Sequence, residues 1–373
     1  MVKRKVRLSV FSGPRNISPC YADGIAPLPT PAGWFCVGFS DEVPAGAVVT
    51  RPLGGQDVVL YRTRDGLLRA IRPYCPHLGA HLGAGGRVEG EEIVCPFHGF
   101  AFAPEGACTR TGYGTRPPKV SLTLLPVRLR HGMIMVWHHP AGLPPDWEIP
   151  ETPPAEPASM ARRLVECAGH PQEVFENVPD TGHFTAVHGK YCTGIRVVSP
   201  FKANGTRGHA AIDATIRVPG VGKTVRVGYS ATIHGLGWSE IDITLPNGSP
   251  LRAWLLPTPI APWRVHLRFC MSLPLSSPKW LLPAVRPAYQ NVASRLLAEI
   301  LLWFHHEKLV VSETSGDVPV WDAKAYLHRP ALAEGDGPFG RYRNWARQFY
   351  VDGTPRRTRV PAEAQPLPET ARD

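Results

Sequence analysis

The chain has 373 residues, of which 43% are hydrophobic and 19% charged, so it can bury a sizeable core and is not intrinsically disordered. Its length predicts about two or three domains, and its 41 prolines and 36 glycines, without a collagen-like period, favour short strands and turns over a helical bundle. The formal net charge of +10 suits an acidic partner, but no basic stripe with interleaved aromatic residues indicates nucleic acid.

The segment that begins the sequence, MVKRKVRLSVFSGPRN, lacks the apolar core of a signal peptide. The most apolar run, residues 296–304, is too short to span a bilayer and contains Glu299. We therefore expect a cytoplasmic protein in which this run is a core-facing helix. The alternative is a helix that lies on a membrane surface and makes the protein peripheral to the membrane.

The first part of the chain has the pattern of a β-domain. Residues 1–30 are rich in proline and are predicted to form an irregular N-terminal extension. Between residues 31 and 145, strand candidates alternate with glycine-containing turns; they lie at 48–49, 57–61, 67–71, 92–94 and 133–137. Residues 139–158 contain seven prolines, which predicts a domain boundary or a semi-rigid connector, and we place the domain limit at residue 145.

The second part, residues 146–373, has longer strand patterns and two helical ones. The strand candidates are residues 161–168, 194–217, 224–233, 239–245, 251–257 and 264–273. A helix is predicted near 171–188 and another over 288–312, where the apolar spacing comprises Val292, Leu296, Leu297, Ile300, Leu301 and Phe304. The simplest architecture is a large antiparallel sheet with helices, so the whole chain is expected to be of the α+β class.

Four possible metal ligands lie in two short loops of the first domain. Cys75-Pro-His77-Leu-Gly and Cys95-Pro-Phe-His98-Gly each offer one thiolate and one imidazole from a segment shaped by proline and glycine. A structural zinc site usually has both cysteines before both histidines. One cysteine and one histidine from each loop suit a [2Fe–2S] cluster with two cysteines on one iron and two histidines on the other. Such a cluster accepts one electron and passes it on.

The segment CPHLGAHLGAGGRVEGEEIVCPFHGFAF, with the ligand pattern C-x-H-x17-C-x2-H, resembles a Rieske iron–sulfur motif. The resemblance implies that Cys75, His77, Cys95 and His98 hold a [2Fe–2S] cluster. His81, four residues after His77, is interpreted as a hydrogen-bonding residue of the loop and not as a ligand.

A second constellation follows the proline-rich segment. Asp180-Thr-Gly-His183 is followed by His188, and two histidines with one carboxylate form a common ligand set of non-haem Fe(II). Residues five apart on an ideal helix point about 140° apart, so a site with both histidines needs a distorted helix or a loop at one ligand. The pair alone is a weak signal, and Asp180 also fits the start of a helix as a capping residue. The candidates for the carboxylate are Glu313, Asp317 and Asp322.

The pattern D-x2-H-x4-H resembles the mononuclear-iron motif of Rieske oxygenase α subunits. The segment GDVPVW resembles the D-x-x-[IV]-W stretch of the branch that comprises 3-ketosteroid 9α-hydroxylases and cholesterol 7-desaturases. This resemblance implies that His183, His188 and Asp317 hold Fe(II), and that Asp180 bridges a cluster histidine and His183 during electron transfer. Asn177 is expected either to lie near the iron and contact solvent or substrate, or to cap a local turn.

Four further segments resemble the same branch: GWF at 33–35, VWHHPAG, ENVPDTGHFTAVHG and EGDGPFGRYRNWARQFY. The resemblance implies an N-terminal Rieske antiparallel β-domain, a C-terminal helix-grip-like antiparallel sheet with helices, and a head-to-tail homotrimer. Because no G-x-G-x-x-G follows a strand, NAD(P)H-derived electrons are expected to arrive through a separate reductase or an acidic ferredoxin.

The predicted function is that of a terminal oxygenase component, which uses O₂ to hydroxylate or desaturate an apolar polycyclic substrate such as a steroid or another natural product. One alternative is a ring dioxygenase that acts on a smaller aromatic compound. The alternative of another class is an electron-transfer Rieske protein without oxygenase activity. A carrier of that kind needs only about 100 residues, which the long second domain argues against.

Overall fold

The computed structural model describes residues 28–152, 160–217, 223–246, 250–275 and 283–351. Almost all of the predicted N-terminal extension therefore lies outside the described residues, as does the end of the proline-rich segment. Within the described ranges the chain consists of antiparallel sheets with a few helices, which confirms the α+β class.

The first part of the chain forms short strands joined by tight turns. They are β1 (Gly33–Phe39), β2 (Val48–Leu53), β3 (Gln56–Arg62), β4 (Leu68–Ile71), β5 (Arg87–Glu89), β6 (Glu92–Val94), β7 (Ala101–Phe102), β8 (Cys108–Arg110), β9 (Leu124–Leu125), β10 (Val127–Arg130) and β11 (Met133–His138). They pair in three sheets, with the orders β1-β11-β10, β2-β3-β4-β9 and β5-β6-β7-β8. The first two sheets share a core that includes Phe35, Val58, Leu60 and Val136. The cysteine–histidine loop at 95–99 joins β6 to β7 of the third sheet, and the loop at 75–79 lies between β4 of the second sheet and β5 of the third.

The second part forms one seven-stranded antiparallel sheet. Its strands are β12 (Ala161–Ala168), β13 (Cys192–Asn204), β14 (Arg207–Arg217), β15 (Thr224–His234), β16 (Trp238–Thr244), β17 (Pro250–Ala261) and β18 (Arg264–Ser272), in the order β12-β18-β17-β16-β15-β14-β13. The pattern predicted as one strand region at 194–217 is a hairpin, which turns at Gly205 with a φ of +53°. On β14, Gly208, Ala210, Ile212 and Ala214 are buried at every second position, as one covered face of a sheet requires.

The helices cover the sheet and its edges. They are α1 (Pro171–Glu176), α2 (Gly182–Ala186), α3 (Arg286–His305), α4 (Asp317–Ala323) and α5 (Phe339–Ala346), with a π-helical turn at His306–Val310 after α3. The helix predicted near 171–188 is thus two short helices. α1 begins where the imidazole of His170 accepts a hydrogen bond from the backbone N–H of Gln172 at 3.1 Å, and Pro171 occupies its first turn.

α3 has an apolar face on each side. The predicted core-facing spacing is right for Leu297 and Leu301, which pack against the main core. It is wrong for Val292, Leu296 and Ile300, whose exposed fractions are 69%, 62% and 53%. The periodicity shows that apolar residues recur along the helix but not how many faces the rest of the fold covers. No helix among the described residues combines the length and hydropathy needed to cross a bilayer.

The two parts of the chain share a hydrophobic core. Trp34 and Trp137 of the first part pack with Trp238 and Trp254 of the second. The proline-rich segment contributes to this core, because the side chain of Trp147 packs against it, and the carbonyl of Trp147 accepts the indole N–H of Trp34 at 3.0 Å. The domain limits predicted from sequence, 31–145 and 146–373, stay a prediction. Where they meet, the chain is packed rather than extended into solvent.

Candidate metal centres and the adjoining cavity

The two cysteine–histidine loops have the same backbone conformation. The N–H of Cys75 donates to the carbonyl of Ala80 at 2.9 Å, and the N–H of Cys95 donates to that of Phe100 at 2.8 Å. In each loop the residue four positions after the cysteine is a glycine with positive φ, +73° at Gly79 and +66° at Gly99. Only glycine adopts this conformation without strain, so the sequence pattern C-P-x-x-G follows from the shape of the loop.

The four predicted cluster residues converge. Cys75 and Cys95 are buried free thiols, and burial, together with the neighbouring Cys95 thiol, raises the pKa of Cys75 to about 11. The rings of His77 and His98 have their centroids 4.9 Å apart. Nδ1 of His98 is buried and has no hydrogen-bond partner among the described residues. Two sulfur and two nitrogen donors, one of them an unsatisfied buried nitrogen, fit a [2Fe–2S] cluster with mixed ligands.

A collar of exposed apolar side chains surrounds these loops. Its members are Tyr74, Leu78, Phe97 and Tyr113, with exposed fractions between 58% and 65%. The ring centroid of Phe97 is 3.7 Å from that of His98, and the ring centroid of Tyr113 is 6.0 Å from it. Large apolar side chains clustered on a surface are typical of a protein–protein contact. His81 lies to one side, 3.2 Å from a carboxylate oxygen of Asp57, so the loop role predicted for it fits its position.

The second candidate centre consists of His183, His188 and Asp317. One ligand atom of each residue lies within 4.8 Å of those of the other two. His183 is on α2, His188 follows the end of that helix, and Asp317 is the first residue of α4. The backbone N–H of His188 donates to the carbonyl of His183 at 3.3 Å, a π-type bond between residues five apart. This wider turn is the distortion that the spacing of the two histidines requires.

Backbone carbonyls set the orientation of both histidines. Nδ1 of His183 lies 2.6 Å from the carbonyl of Asp180, and Nδ1 of His188 lies 2.9 Å from the carbonyl of Ser315. Because a carbonyl only accepts, each Nδ1 carries the proton, and each neutral ring keeps its lone pair on Nε2. These bonds to Nδ1 are the usual support of a metal-binding imidazole. Ser315 was not predicted from sequence, since its contribution is a backbone atom that any residue type has.

The electrostatics of this centre favour a cation. Burial lowers the pKa of His183. Burial also opposes protonation of His188, but the hydrogen bond and the charge of Asp317 raise its pKa overall. A carboxylate that attracts a proton to this imidazole would attract a metal ion in the same place. The three residues therefore fit Fe(II) held by two nitrogens and one carboxylate.

Asp180 caps the helix that carries His183. Its Oδ1 accepts hydrogen bonds from the backbone N–H groups of Gly182 at 3.0 Å and of His183 at 3.2 Å. Its Oδ2 lies 3.9 Å from Nδ1 of His183 and forms no hydrogen bond with a described residue. The capping interpretation is therefore correct for one oxygen, and the second oxygen remains available for the bridging role.

The other carboxylate candidates are placed elsewhere. Oδ1 of Asp322 accepts the backbone N–H of Ala168 at 2.7 Å, on the far side of α4, and Glu313 is exposed. Asn177, predicted near the iron, ends α1 and lines the same cavity as His183. Of the three acids, Asp317 is the one whose carboxylate lies beside His183 and His188.

A cavity of about 370 Å³ adjoins this centre and lies between the large sheet and α3. Its lining is apolar over most of its surface, with small or branched residues of β14 and β15 such as Ala210 and Val227. Tyr229, Cys192 and His305 also line it, and none of these was predicted from sequence. The sequence could have indicated His305, because it follows Leu297 and Leu301 at four-residue spacing and therefore lies on the same helix face.

The first domain carries a site with mixed sulfur and nitrogen ligands. The second sheet carries a site of two histidines and one carboxylate beside an apolar cavity. This combination defines a Rieske-type non-haem iron oxygenase. Residues 33–120 match the family described as Rieske [2Fe-2S] domain, and residues 136–269 and 298–350 match the family described as 3-Ketosteroid 9alpha-hydroxylase C-terminal domain. The chain therefore belongs to the Rieske oxygenases that carry the 3-ketosteroid 9α-hydroxylase C-terminal domain. It is a terminal oxygenase component, whose cofactors are a [2Fe–2S] cluster and mononuclear iron and whose co-substrate is O₂.

Curated relatives fall in the same branch. The chain is 29% identical over 336 residues to the cholesterol 7-desaturase of Bombyx mori, an alignment that covers 87% of this chain and 71% of the relative. It is 29% identical over 342 residues to a probable 3-ketosteroid-9-alpha-monooxygenase oxygenase component of Rhodococcus rhodochrous, covering 86% and 80%.

Solved structures share the fold at lower identity. Dicamba monooxygenase bound to 3,6-dichlorosalicylic acid superposes with a TM-score of 0.57 at 17% identity, over 85% of this chain and 96% of that one. NdmA of Pseudomonas putida CBB5 with caffeine gives a TM-score of 0.57 at 17% identity, over 84% and 89%. These two confirm the architecture and say nothing about the substrate of this chain.

Proposed function

We propose that this oxygenase hydroxylates or desaturates a steroid or a similarly shaped polycyclic compound. The observation that supports this most strongly is the apolar cavity of about 370 Å³ that His183, His188 and Asp317 line. Its volume is within the range of small-molecule sites, roughly 300–1,000 Å³, and its lining suits a rigid hydrocarbon skeleton. Relatives in the branch are named for steroid substrates, cholesterol and 3-ketosteroids.

In this proposal His183, His188 and Asp317 hold the iron and Cys75, His77, Cys95 and His98 hold the cluster. When bound, the iron supplies activation of dioxygen for removal of hydrogen from an unactivated C–H bond. The residues of the chain orient the reaction. The carbonyls of Asp180 and Ser315 hold the two imidazoles with Nε2 toward the metal position, and the apolar lining excludes water and holds the skeleton.

Asp180 is proposed to connect the two centres between subunits of a homotrimer. Its Oδ2 can accept a hydrogen bond from a cluster histidine of a neighbouring subunit, while its own carbonyl holds Nδ1 of His183. The apolar collar formed by Tyr74, Leu78, Phe97 and Tyr113 would then be buried against that neighbour. Electrons reach the cluster from a redox partner, for which we propose an acidic ferredoxin or an NAD(P)H-dependent reductase attracted by the net charge of +10.

We further propose a cytoplasmic protein that contacts membranes through the outer face of α3. Exposed Val292, Leu296, Ile300 and Trp303 form an apolar stripe on the helix whose opposite face lines the cavity. An anionic lipid surface matches both the stripe and the positive net charge, and it dissolves apolar substrates. In vesicle flotation, Leu296→Glu with Ile300→Glu should abolish binding, whereas Asn291→Glu on the same helix should not. A trimer that dissociates in the double variant would show instead that the stripe is a subunit contact.

The decisive experiment combines iron counting with product analysis. The reconstituted protein should contain about three irons per chain and convert a steroid in the presence of O₂ and a reductase. A product heavier by one oxygen atom would mean hydroxylation, and one lighter by two hydrogens would mean desaturation. Conversion of small aromatics with addition of both oxygen atoms would favour a ring dioxygenase. About two irons per chain and no product would favour an electron carrier.

A further inference from the structure

His305 is a polar residue on an otherwise apolar stretch of the cavity wall. Leu301, Leu302 and Phe304, its neighbours on α3, line the same cavity. Its ring centroid lies 5.4 Å from that of Phe269 on β18, so an aromatic side chain covers one side of it. Neither ring nitrogen forms a hydrogen bond with a described residue, and Nδ1 is shielded from solvent. Nε2 is not among the shielded nitrogens, so it is the atom that a ligand in the cavity can reach, and a hydrogen bond from that ligand would give it the partner it lacks.

The imidazole of His305 is uncharged in the folded protein. Burial lowers its pKa to about 4, despite the attraction of Asp317, so the ring is neutral near pH 7. A neutral imidazole offers one N–H donor and one acceptor nitrogen. It can therefore bind a ketone or a hydroxyl oxygen without requiring a charged ligand, which the apolar cavity would exclude.

His305 lies close to the proposed iron ligands. The charges of Asp317 and His188 both act on it, and all three residues line one cavity. A substrate oxygen held by His305 would therefore be on the side of the cavity where the reaction takes place. Such a contact orients the skeleton and thereby selects which carbon faces the metal position.

Tyr229 is the competing anchor in the same cavity. It lines the wall, its ring centroid lies 6.4 Å from that of Phe184, and its hydroxyl forms no hydrogen bond with a described residue. The charges of Asp317 and His188 act on His305, whereas only that of Cys192 acts on Tyr229. A ligand oxygen held by His305 would therefore be nearer to these two iron-ligand candidates than one held by Tyr229.

We propose that His305 is a specificity-determining residue that hydrogen-bonds a ketone or hydroxyl oxygen on an otherwise apolar polycyclic substrate. This rests on the proposed function, because it requires that the substrate occupies the cavity beside His183, His188 and Asp317.

Anaerobic binding to the iron-loaded protein tests the proposal without turnover. The ligands are a steroid diketone, its two monoketones and the parent hydrocarbon, and tryptophan fluorescence quenching reports each Kd. Wild-type protein should bind at least one ketone about tenfold more tightly than the hydrocarbon, the effect of about one hydrogen bond. His305→Leu should reduce this preference to about twofold and still bind the hydrocarbon, which shows that the cavity is intact. His305→Gln should keep part of the preference, and Tyr229→Phe should keep all of it.

The outcomes separate the two proposals. If the wild-type protein binds the steroids without any preference for a ketone, or if His305→Leu keeps the full preference, the role of His305 is overturned and the proposed function stands. Loss of the preference in Tyr229→Phe alone assigns the anchor to Tyr229 and overturns the proposal as well. If the wild-type protein binds none of the four ligands, the proposed substrate class is wrong and the role of His305 is overturned with it.

Discussion

Nε2 of His188 lies 3.3 Å from Oδ1 of Asp317, although the other nitrogen of the ring donates its proton to the carbonyl of Ser315. In the neutral ring, a lone pair and a carboxylate oxygen then face each other at close range. That arrangement is stable only with a cation between or beside them, either a proton or a metal ion. His188 is buried and Asp317 is partly buried at the wall of an apolar cavity, which limits the access of competing water.

Removal of the carboxylate charge should empty the mononuclear site selectively. Asp317→Asn is expected to reduce the iron content from about three to about two per chain, with the absorption spectrum of the cluster unchanged. Asp322→Asn on the same helix is the matched control, because its side chain accepts the N–H of Ala168 and does not face the cavity. Equal iron content in the two variants would contradict the assignment of Asp317 as a ligand.

The bridging role of Asp180 should affect electron transfer more than metal binding. Asp180→Asn keeps an oxygen that can cap α2 but lacks the charge, so oxidation of the pre-reduced cluster by O₂ and substrate should slow about 10–100-fold. Iron content should stay at the wild-type value, as measured by colorimetric assay beside stopped-flow absorbance. Asp65→Asn, an exposed acid that accepts the backbone N–H of Leu67 in the turn between β3 and β4, should leave the rate unchanged. A wild-type rate in the Asp180 variant would rule out the bridge.

A buried arginine of the large sheet forms hydrogen bonds with the first domain. Arg268 on β18 donates to the carbonyls of Cys36 at 2.7 Å and of Val37 at 3.2 Å, both on β1. Arg268→Met leaves these buried acceptors short of donors and should lower the free energy of unfolding by about 1–3 kcal/mol. Lysine cannot reproduce the forked geometry, so Arg268→Lys should be destabilised too.

The control for this effect is Arg264→Met on the same strand, where a half-exposed ion pair with Glu166 is lost. Exposed ion pairs contribute less than about 1 kcal/mol to the free energy of unfolding. The urea concentration at the unfolding midpoint of Arg264→Met should therefore stay near that of the wild type. Similar midpoints for the Arg264 and Arg268 variants would show that the contact between β18 and β1 does not depend on the guanidinium.

Acid should destabilise the protein through buried neutral histidines. Burial lowers the pKa of His170 to about 4, below the value of about 6.5 for an unfolded chain. Between these two values the unfolded state binds the proton and the folded state does not, so stability is full above pH 6.5 and falls as the pH drops toward 4. His170→Asn keeps a cap for α1 but binds about one proton fewer on unfolding. Its melting temperature should therefore fall less than that of the wild type over this pH range. An unchanged slope would mean that His170 is protonated in the folded state.

Local patterns in the sequence were sufficient for much of the fold. The strand predicted at 161–168 has the same limits in the structure, and the strands predicted at 224–233 and 239–245 differ from β15 and β16 by one residue at one or both ends. Alternation of apolar and polar residues depends on neighbours two positions apart, so it can be read along the chain. The two C-P-x-x-G loops were recognised for the same reason, because proline and glycine restrict their own backbone.

Contacts between distant segments decided the rest. The helix predicted near 171–188 breaks between α1 and α2, in a segment that contains Pro179. The turn after α2 then widens, and the carbonyl of Ser315 and the carboxylate of Asp317 hold His188 from a distant segment. The apolar spacing of α3 could not show that Val292, Leu296 and Ile300 point outward while Leu301 and His305 line a cavity. Which acid completes the site, and which face of a helix is covered, depends on side chains more than a hundred positions away. Such distant residues become neighbours only when the sheet and its helices pack together, so the local sequence cannot predict these contacts.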